Sequence, residues 1–167
     1  PGSDAWYWLD AADNGKMAVS KDVYQESNGG KWVRYDENGH MIKGWNTNDN
    51  GTYYFDLTTG AMYKGKVIID GVSCVFDDNT GIGVDCKWLE FDGVKYWYEG
   101  GRRQGLEGRG KEIFDPASNA WYWLDAIDGG KMAVNKDVYQ ESDGGKWVRY
   151  DANGHMVKGE NCKDNAW

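Results

Sequence analysis

Aromatic side chains are the residues of this sequence with the clearest chemical potential. The chain has 10 Trp and 11 Tyr in 167 residues, and many stand in runs that end in an acidic residue: WYWLD, WVRYD, YYFD, CVFD and YWYE. The face of an aromatic ring attracts a cation that cannot donate strong hydrogen bonds, such as a quaternary ammonium. The same rings can stack on sugar faces while flanking Asp, Asn and Lys bind hydroxyl groups. These runs therefore predict binding at ring faces.

Residues that could perform catalysis are present, but they form no catalytic pattern. The serines lack a nucleophile motif, and no glycine-rich phosphate loop precedes a helix. A glycosidase needs two carboxylates facing each other across a cleft, which short hairpins rarely provide. His40 and His155 occupy one turn position in two copies of a segment, and no Cys-x-x-Cys pair is present. We predict no enzymatic activity, no metal site and no cofactor.

The aromatic runs predict β-strands, each followed by a tight turn. Glycine adopts the positive φ that such turns need, and no stretch shows the 3.6-residue periodicity of a helix. All five methionines lie two residues after one of the turn glycines, which predicts a return strand of constant chemistry. About seven β-hairpins are expected. The turn glycines, 20 to 29 residues apart, are Gly15, Gly39, Gly60, Gly81, Gly101, Gly130 and Gly154.

A long duplication organises the chain. Residues 1–44 and 116–159 align without a gap at an offset of 115 and differ at eight positions. A single hairpin of about 20 residues cannot bury a core, so successive hairpins must stack. We predict an all-β fold, an elongated solenoid of about seven stacked β-hairpins. Residues 1–167 then form one continuous array, with a long unit at 1–115 and the start of the next at 116–167.

Charge and hydropathy exclude two classes of partner. The net charge is −8 and lysine and arginine do not cluster, which opposes binding to nucleic acid or anionic lipid. No apolar segment approaches 18 residues, so membrane insertion is not expected. The sequence also shows no signal peptide, and we interpret it as a piece of a longer chain.

Two segments carry a family resemblance. GKWVRYDENGHMIKGW (residues 30–45) and GTYYFDLTTGAMYKG (residues 51–65) resemble the cell-wall-binding repeat of Gram-positive surface proteins, also called the choline-binding or glucan-binding repeat. The resemblance covers nearly the whole chain. It implies a secreted or cell-surface protein whose hairpins form a solenoid. In choline-binding members the ligand lies in a box of aromatic rings between consecutive hairpins.

The resemblance also implies a set of ligand-binding residues. Trp45 matches the tryptophan of the family's Gly-Trp pair, Trp32 the first aromatic residue of the hairpin motif, and Tyr53 and Tyr54 the aromatic pair of the next hairpin. The methionines could contact a ligand or simply fill gaps in the core, and any ring could equally serve only to pack hairpins together. The predicted site residues are Trp32, Trp45, Tyr53, Tyr54, Met41 and Met62.

Three functions fit this pattern. The first is a non-catalytic binding module for choline-bearing teichoic acid or for glucan, in which weak sites gain strength by repetition. The second is a spacer that presents another domain. The third is a surface repeat that binds a host protein such as immunoglobulin, favoured by lost ring positions such as Ser73-Cys74-Val75, where the motif has three aromatic residues.

The cysteines add one structural expectation. Cys74 and Cys86 flank the turn at residues 79–81 almost symmetrically. In a secreted chain this arrangement predicts a cross-strand disulfide, provided that the Cα distance suits the bond. Cys162 has no evident partner, and its equivalent in the first copy is Thr47.

Overall fold

The computed structural model describes residues 5–141 and 144–159, and in this part of the chain the fold is all-β. Short 3₁₀ turns, such as Ala11–Asp13 and Ser27–Gly29, are the other regular elements. The strands are β1 (Leu9–Asp10), β2 (Lys16–Met17), β3 (Lys21–Gln25), β4 (Lys31–Tyr35), β5 (Gly44–Asn48), β6 (Gly51–Phe55), β7 (Gly65–Ile69), β8 (Val72–Phe76), β9 (Lys87–Phe91), β10 (Val94–Glu99), β11 (Arg102–Arg103), β12 (Lys111–Asp115), β13 (Ala120–Asp125), β14 (Lys131–Met132), β15 (Lys136–Gln140) and β16 (Lys146–Tyr150).

Antiparallel hairpins dominate the fold, which confirms the prediction of stacked β-hairpins. Five-residue ladders join β3 to β4, β5 to β6, β7 to β8, β9 to β10, β12 to β13 and β15 to β16. The pairs β7–β8 and β9–β10 turn at Asp70-Gly71 and Asp92-Gly93, where all four residues have positive φ. Two-residue hairpin turns of this kind match the twist of the strands that they connect.

The seven predicted turn glycines all have positive φ, and three of them, Gly39, Gly60 and Gly81, lie between one hairpin and the next. Across Gly39 only Tyr35 and Met41 form a bridge, and across Gly60 only Phe55 and Met62 do so. The strands of these two aromatic runs are β4 and β6. Each forms a five-residue ladder with the strand before it, β3 or β5, and only a single bridge across the glycine that follows. The glycine turn therefore connects one hairpin to the next.

The acidic residue at the end of an aromatic run closes the turn that follows. The Asp56 Oδ1 atom accepts hydrogen bonds from the backbone N–H groups of Thr58 and Thr59, at 3.0 and 2.6 Å, and from the Thr59 hydroxyl at 2.9 Å. These bonds favour the charged carboxylate and lower the pKa of Asp56 to about 2. Asp77 makes the same three bonds, with Thr80 in the place of Thr59.

Four of the five methionines pack against the turn glycine of the following repeat. A Cβ atom at Gly60 would lie 2.4 Å from the Met41 sulfur, and one at Gly81 would lie 2.5 Å from that of Met62. Gly39 and Gly154 meet Met17 and Met132 in the same way. Glycine is thus required at these turns for its positive φ and for the close approach of a methionine.

The described residues fall into two compact units, residues 5–84 with 100–102 and residues 85–99 with 103–159. Each unit has small clusters of buried side chains in place of one large core. In the first unit, Val23, Val33 and Tyr35 form one cluster. Another cluster there contains Tyr54, Ile69, Cys74 and Phe76, and two comparable clusters lie in the second unit. Neighbouring hairpins thus share their buried surface, as stacked repeats require.

The predicted disulfide is wrong. Cys74 and Cys86 are both free, the first buried and the second exposed. Cys74 lies in the middle of β8, where it faces Val67 of β7 on one side and Arg102 of β11 on the other. After the turn near residue 80 the chain returns along β8 only as far as the Phe76–Gly83 bridge and the bond from Val84 N–H to the Val75 carbonyl. Both cross-strand positions beside Cys74 are taken by Val67 and Arg102. Cys162 and Glu160 lie outside the described residues.

Candidate functional site

Two of the six predicted site residues have rings in direct contact. Trp45 of β5 lies opposite Tyr54 of β6, with ring centroids 5.0 Å apart and planes inclined by 65°. Tyr53, the neighbouring residue on β6, points to the opposite face because side chains alternate along a strand. Its ring is buried under the Arg34 guanidinium, which lies 4.0 Å from the ring centroid.

The other predicted site residues lie elsewhere. Met41 and Met62 pack against turn glycines, as described above. Trp32 of β4 is 42% exposed and contacts Tyr24, its cross-strand neighbour on β3, with ring centroids 5.4 Å apart. The six residues therefore do not surround one common space.

Arginine side chains of the protein cover two further ring faces. The Arg102 guanidinium lies 5.1 Å from the centroid of the Trp45 ring. In the second unit, the Arg103 guanidinium lies 4.9 Å from the centroid of the Tyr96 ring. A guanidinium over an aromatic ring makes the contact that a quaternary ammonium ligand would make. An external cation at Trp45 would have to share the ring with Arg102.

The outward face of the β3–β4 hairpin combines two cross-strand pairs, an exposed ring pair and an ion pair whose arginine side chain is only 11% exposed. The first is the Tyr24–Trp32 ring pair. The second is Asp22 with Arg34, whose Nε and Nη2 atoms donate to the two carboxylate oxygens at 2.6 and 2.9 Å. This bidentate contact raises the pKa of the Arg34 guanidinium. We call these four residues the aromatic–charge face.

The β15–β16 hairpin repeats this face at the offset of 115. Tyr139 and Trp147 have ring centroids 5.4 Å apart, and Arg149 Nε and Nη2 donate to the Asp137 carboxylate, each at 2.6 Å. Trp147 is 73% exposed and Tyr139 is 51% exposed. None of the four residues differs between the copies. The protein thus carries the aromatic–charge face once in each unit.

A glycine supports the tyrosine of each face. A Cβ atom at Gly30 would lie 2.0 Å from the Tyr24 hydroxyl oxygen, and one at Gly145 would lie 2.1 Å from that of Tyr139. Each tyrosine thus lies across the backbone of its own hairpin loop. The ring is exposed to solvent on one side and supported by the loop on the other, so little side-chain freedom remains to be lost on binding.

In the second unit, the aromatic–charge face borders a groove. A cleft of about 290 Å³ is lined by Trp123, Tyr139 and Trp147, and by Asp137 and Lys136. A second cleft of about 670 Å³ shares Trp123 and Tyr139 with the first. We call Trp123, Tyr139 and Trp147 the aromatic groove. Clefts of this size with aromatic walls and a few polar groups are typical of small-ligand sites.

One polar group at the groove is already hydrogen-bonded, and another has no partner in the described part of the chain. Lys136 Nζ donates to the Asp125 carboxylate, and Lys21 makes the same contact to Asp10 at 2.5 Å in the first copy. The indole N–H of Trp123 is buried without a hydrogen-bond acceptor among the described residues. Such a group is costly to bury unless it finds a partner.

Because the sequence is duplicated, a groove equivalent to the aromatic groove is expected in the first unit. The residues at the offset of 115 from Trp123, Tyr139 and Trp147 are Trp8, Tyr24 and Trp32. Along the wall of the 290 Å³ cleft the two copies differ only where Ala12 replaces Ile127. Ile127 is 81% exposed, so this difference changes the rim of the groove and leaves its aromatic wall unchanged.

Neither Tyr24 nor Asp22 is among the residues predicted from the sequence. A signal for both is present in the duplicated strands KDVYQ and KWVRY, where Asp and Tyr alternate with buried residues in the first, and Trp and Arg in the second. The missing information is the register, because only the pairing of β3 with β4 places Tyr24 opposite Trp32.

Residues 5–141 and 144–159 contain no group of three or more His, Cys, Asp or Glu side chains placed to hold a metal ion. Within the same residues, no helix is long and apolar enough to cross a membrane.

Comparison with known proteins agrees with this fold. Residues 25–66 match the family model described as a choline-binding repeat. The chain is 34% identical over 93 residues to glucosyltransferase-S of Streptococcus downei, an alignment that spans 54% of this chain and 6% of that protein.

Solved structures of pneumococcal proteins are similar over nearly the whole chain. Choline binding protein F of Streptococcus pneumoniae superposes with a TM-score of 0.56 at 26% identity, covering 92% of this chain and 44% of that protein. The choline-binding domain of CbpL, from the same organism, superposes with a TM-score of 0.50 at 25% identity, covering 95% and 87%. The chain thus spans less than half of choline binding protein F.

Proposed function

Because residues 25–66 of this chain match a choline-binding repeat, we propose that it is a non-catalytic module of a secreted or surface-anchored bacterial protein. The module attaches that protein to a cell-wall or glycan polymer. We further propose that the sugar rings of a glucan are bound at the aromatic–charge faces and the aromatic groove. The observation that carries this proposal is the duplicated, exposed pair of Tyr and Trp rings beside a bidentate Asp–Arg contact.

The chemistry of these faces suits a neutral polyhydroxylated ligand. Tyr139 and Trp147 offer flat apolar surface for the C–H face of a sugar ring, as exposed aromatic anchors do in other recognition sites. Asp137 and Arg149 supply acceptors and donors for hydroxyl groups at the edge of the same rings. The net charge of −8 does not oppose a neutral polymer, whereas it opposes a polyanion.

Duplication strengthens the proposal. Each face by itself is small and exposed, which favours weak binding. Two faces on one chain can engage one polymer, and the second contact then forms at a high effective concentration. Multivalency of this kind raises the apparent affinity by about 10² to 10⁴ without any new contact.

Retention on an insoluble glucan column tests this function. We expect the protein to be retained and to elute with soluble glucan oligosaccharide. Loss of an aromatic anchor costs about 2 kcal/mol, or about 30-fold in affinity. Tyr139→Ala and Trp147→Ala should therefore weaken retention, and Trp32→Ala with Trp147→Ala should nearly abolish it.

The control is Ile68→Ala. Ile68 is 66% exposed and lies outside the aromatic–charge faces and the clefts described above, so that retention of this variant should equal that of the parent. A parent protein that flows through the column would refute the glucan proposal. Equal loss of retention in Ile68→Ala would show that binding is not located at the faces.

Choline is a second candidate ligand, favoured by the family match and by the contact between Trp45 and Tyr54 inside the matched residues. Arg102 over the Trp45 ring opposes it. Millimolar choline should raise the melting temperature of a choline-binding module, and Trp45→Ala should remove that shift. The absence of a shift in the parent protein would exclude choline. The relatives reported above are named for choline or for glucosyl transfer, and none for binding of an immunoglobulin or another host protein.

A further inference from the structure

Two identical segments have different surroundings in this structure. The sequence AWYWLD occurs at residues 5–10 and again at residues 120–125. Leu9 is 69% exposed, but its counterpart Leu124 is fully buried. Tyr7 is 43% exposed, whereas Tyr122 is 5% exposed. Since the sequences are the same, the difference comes from what covers them.

Strand β12 and the residues before it provide the cover in the second copy. Ile113 and Glu112 of β12 pair with Tyr122 and Trp123 of β13 in a five-residue antiparallel ladder. Leu124 packs into a buried cluster with Ile113. A Cβ atom at Gly105 would lie 2.5 Å from the Leu124 Cβ atom, so the chain around residue 105 also contacts this side chain.

The first copy already has the conformation that accepts such a strand. The Trp6 carbonyl accepts a hydrogen bond from Met41 N–H at 3.1 Å, as the Trp121 carbonyl does from Met156 N–H at 3.0 Å. The Tyr7 hydroxyl lies 2.9 Å from His40 Nε2, the same distance as in the second copy. One edge of residues 5–10 is therefore held as in the second copy. In the described part of the chain β1 pairs with β2 alone.

We propose that residues 5–10 form a docking edge for residues 105–115 of another copy of the repeat, which add an antiparallel strand. Addition of a strand to a sheet edge is a general mode of protein recognition. The register follows from the second copy, with Lys111 opposite Leu9, Ile113 opposite Tyr7 and Asp115 opposite Ala5. The structural unit of the array then begins near residue 105, ahead of the duplicated sequence.

A polar side chain near the docking edge, Gln25 of β3, matches the incoming segment. In the second copy, Gln140 Nε2 donates to Tyr150 and to the Glu112 carboxylate of β12, the latter at 3.3 Å. Gln25 makes the same bond to Tyr35, and among the described residues no strand equivalent to β12 lies beside residues 5–10. The partner is thus identified by its chemistry as a second Glu112-containing segment.

The test adds residues 85–115 of this sequence directly before Pro1, so that the full chain follows. We expect the backbone amides of residues 6–9 to exchange with deuterium about tenfold more slowly or better, because pairing and burial protect amides. Ile113→Asp in the added segment alone should return exchange to the parent rate. Residues 120–125 of the same molecule, already covered, serve as an internal control and should not change.

Unchanged exchange at residues 6–9 in the extended chain would overturn the proposal. Protection that persists with Ile113→Asp would also overturn it, since the stated register requires Ile113 at the interface. Glucan retention through Tyr139 and Trp147 is a separate readout, because these residues lie outside the docking edge and their cleft exists in the parent chain without an added segment. Failure of the docking proposal therefore leaves the proposed function standing, and the reverse also holds.

Discussion

Gly130 and Gly15 allow the cost of a steric clash to be separated from the cost of backbone strain at positive φ. They occupy the same position in the two copies, and both have φ of 76°. A Cβ atom at Gly130 would lie 1.8 Å from the carbonyl oxygen of Gly105, while one at Gly15 would have nothing within 4 Å. Alanine therefore costs the same backbone strain at both positions, and a steric clash at only one.

The magnitudes can be worked out from these contacts. Alanine at positive φ costs about 1–2 kcal/mol at either position. Non-bonded carbon atoms prefer separations of about 3.5–4.0 Å, so at Gly130 two backbone segments must also move apart. Overpacking of this kind costs about 1–3 kcal/mol more. Gly130→Ala should thus destabilise the fold by about 2–5 kcal/mol and Gly15→Ala by about 1–2 kcal/mol.

Thermal unfolding measures the difference. In a chain of this size, each kcal/mol lowers the melting temperature by about 2–4 °C, so Gly130→Ala should melt at least that much below Gly15→Ala. Gly71→Ala is a second control, with φ of 76° and nothing within 4 Å. Equal melting temperatures for Gly130→Ala and Gly15→Ala would refute the close approach of residues 105 and 130.

Three further predictions concern single side chains. Because hydrogen bonds lower the pKa of Asp56 to about 2, they stabilise the fold above about pH 4 and this contribution disappears as pH falls through 2. Thr59→Val removes one of these bonds, so its urea midpoint should fall below that of the parent at pH 7, and the two should converge near pH 2; a constant gap would contradict this. Arg102→Ala uncovers Trp45, so choline should raise the melting temperature of this variant more than that of the parent, and equal shifts would mean that Arg102 does not compete. A thiol reagent should label exposed Cys86 in the native protein and spare buried Cys74, and mass spectrometry that finds the two joined would contradict the free thiols.

Local sequence was sufficient to predict much of the fold. Alternating aromatic and β-branched residues predicted the strands. Gly39, Gly60 and Gly81 predicted the turns, because tolerance of positive φ is an intrinsic property of glycine. The acidic residue before each turn was also visible, although its role as a hydrogen-bond acceptor was not. Pairing was harder to predict, because β4 can in principle pair with either neighbour, and the sequence pattern favours the wrong one at Gly39.

The candidate site depended more strongly on tertiary structure. Trp32 was predicted from its motif, but Tyr24, its partner across the hairpin, was not. Tyr53 matched the motif equally well, yet its ring lies buried beneath Arg34, a residue from another hairpin. Ring type can be read from sequence, whereas the free or covered state of a ring face depends on which other chain segments pack against it.

The duplication shows this division most clearly. The sequence by itself determined that residues 5–10 and 120–125 have the same conformational preferences and are followed by a glycine turn at Gly15 and Gly130. It did not determine that Leu124 is buried and Leu9 exposed. Burial is a property of the neighbours that a segment acquires, and β12 lies beside only one of the two copies. Identical sequences therefore have different surfaces here, because solvent exposure is decided by long-range packing.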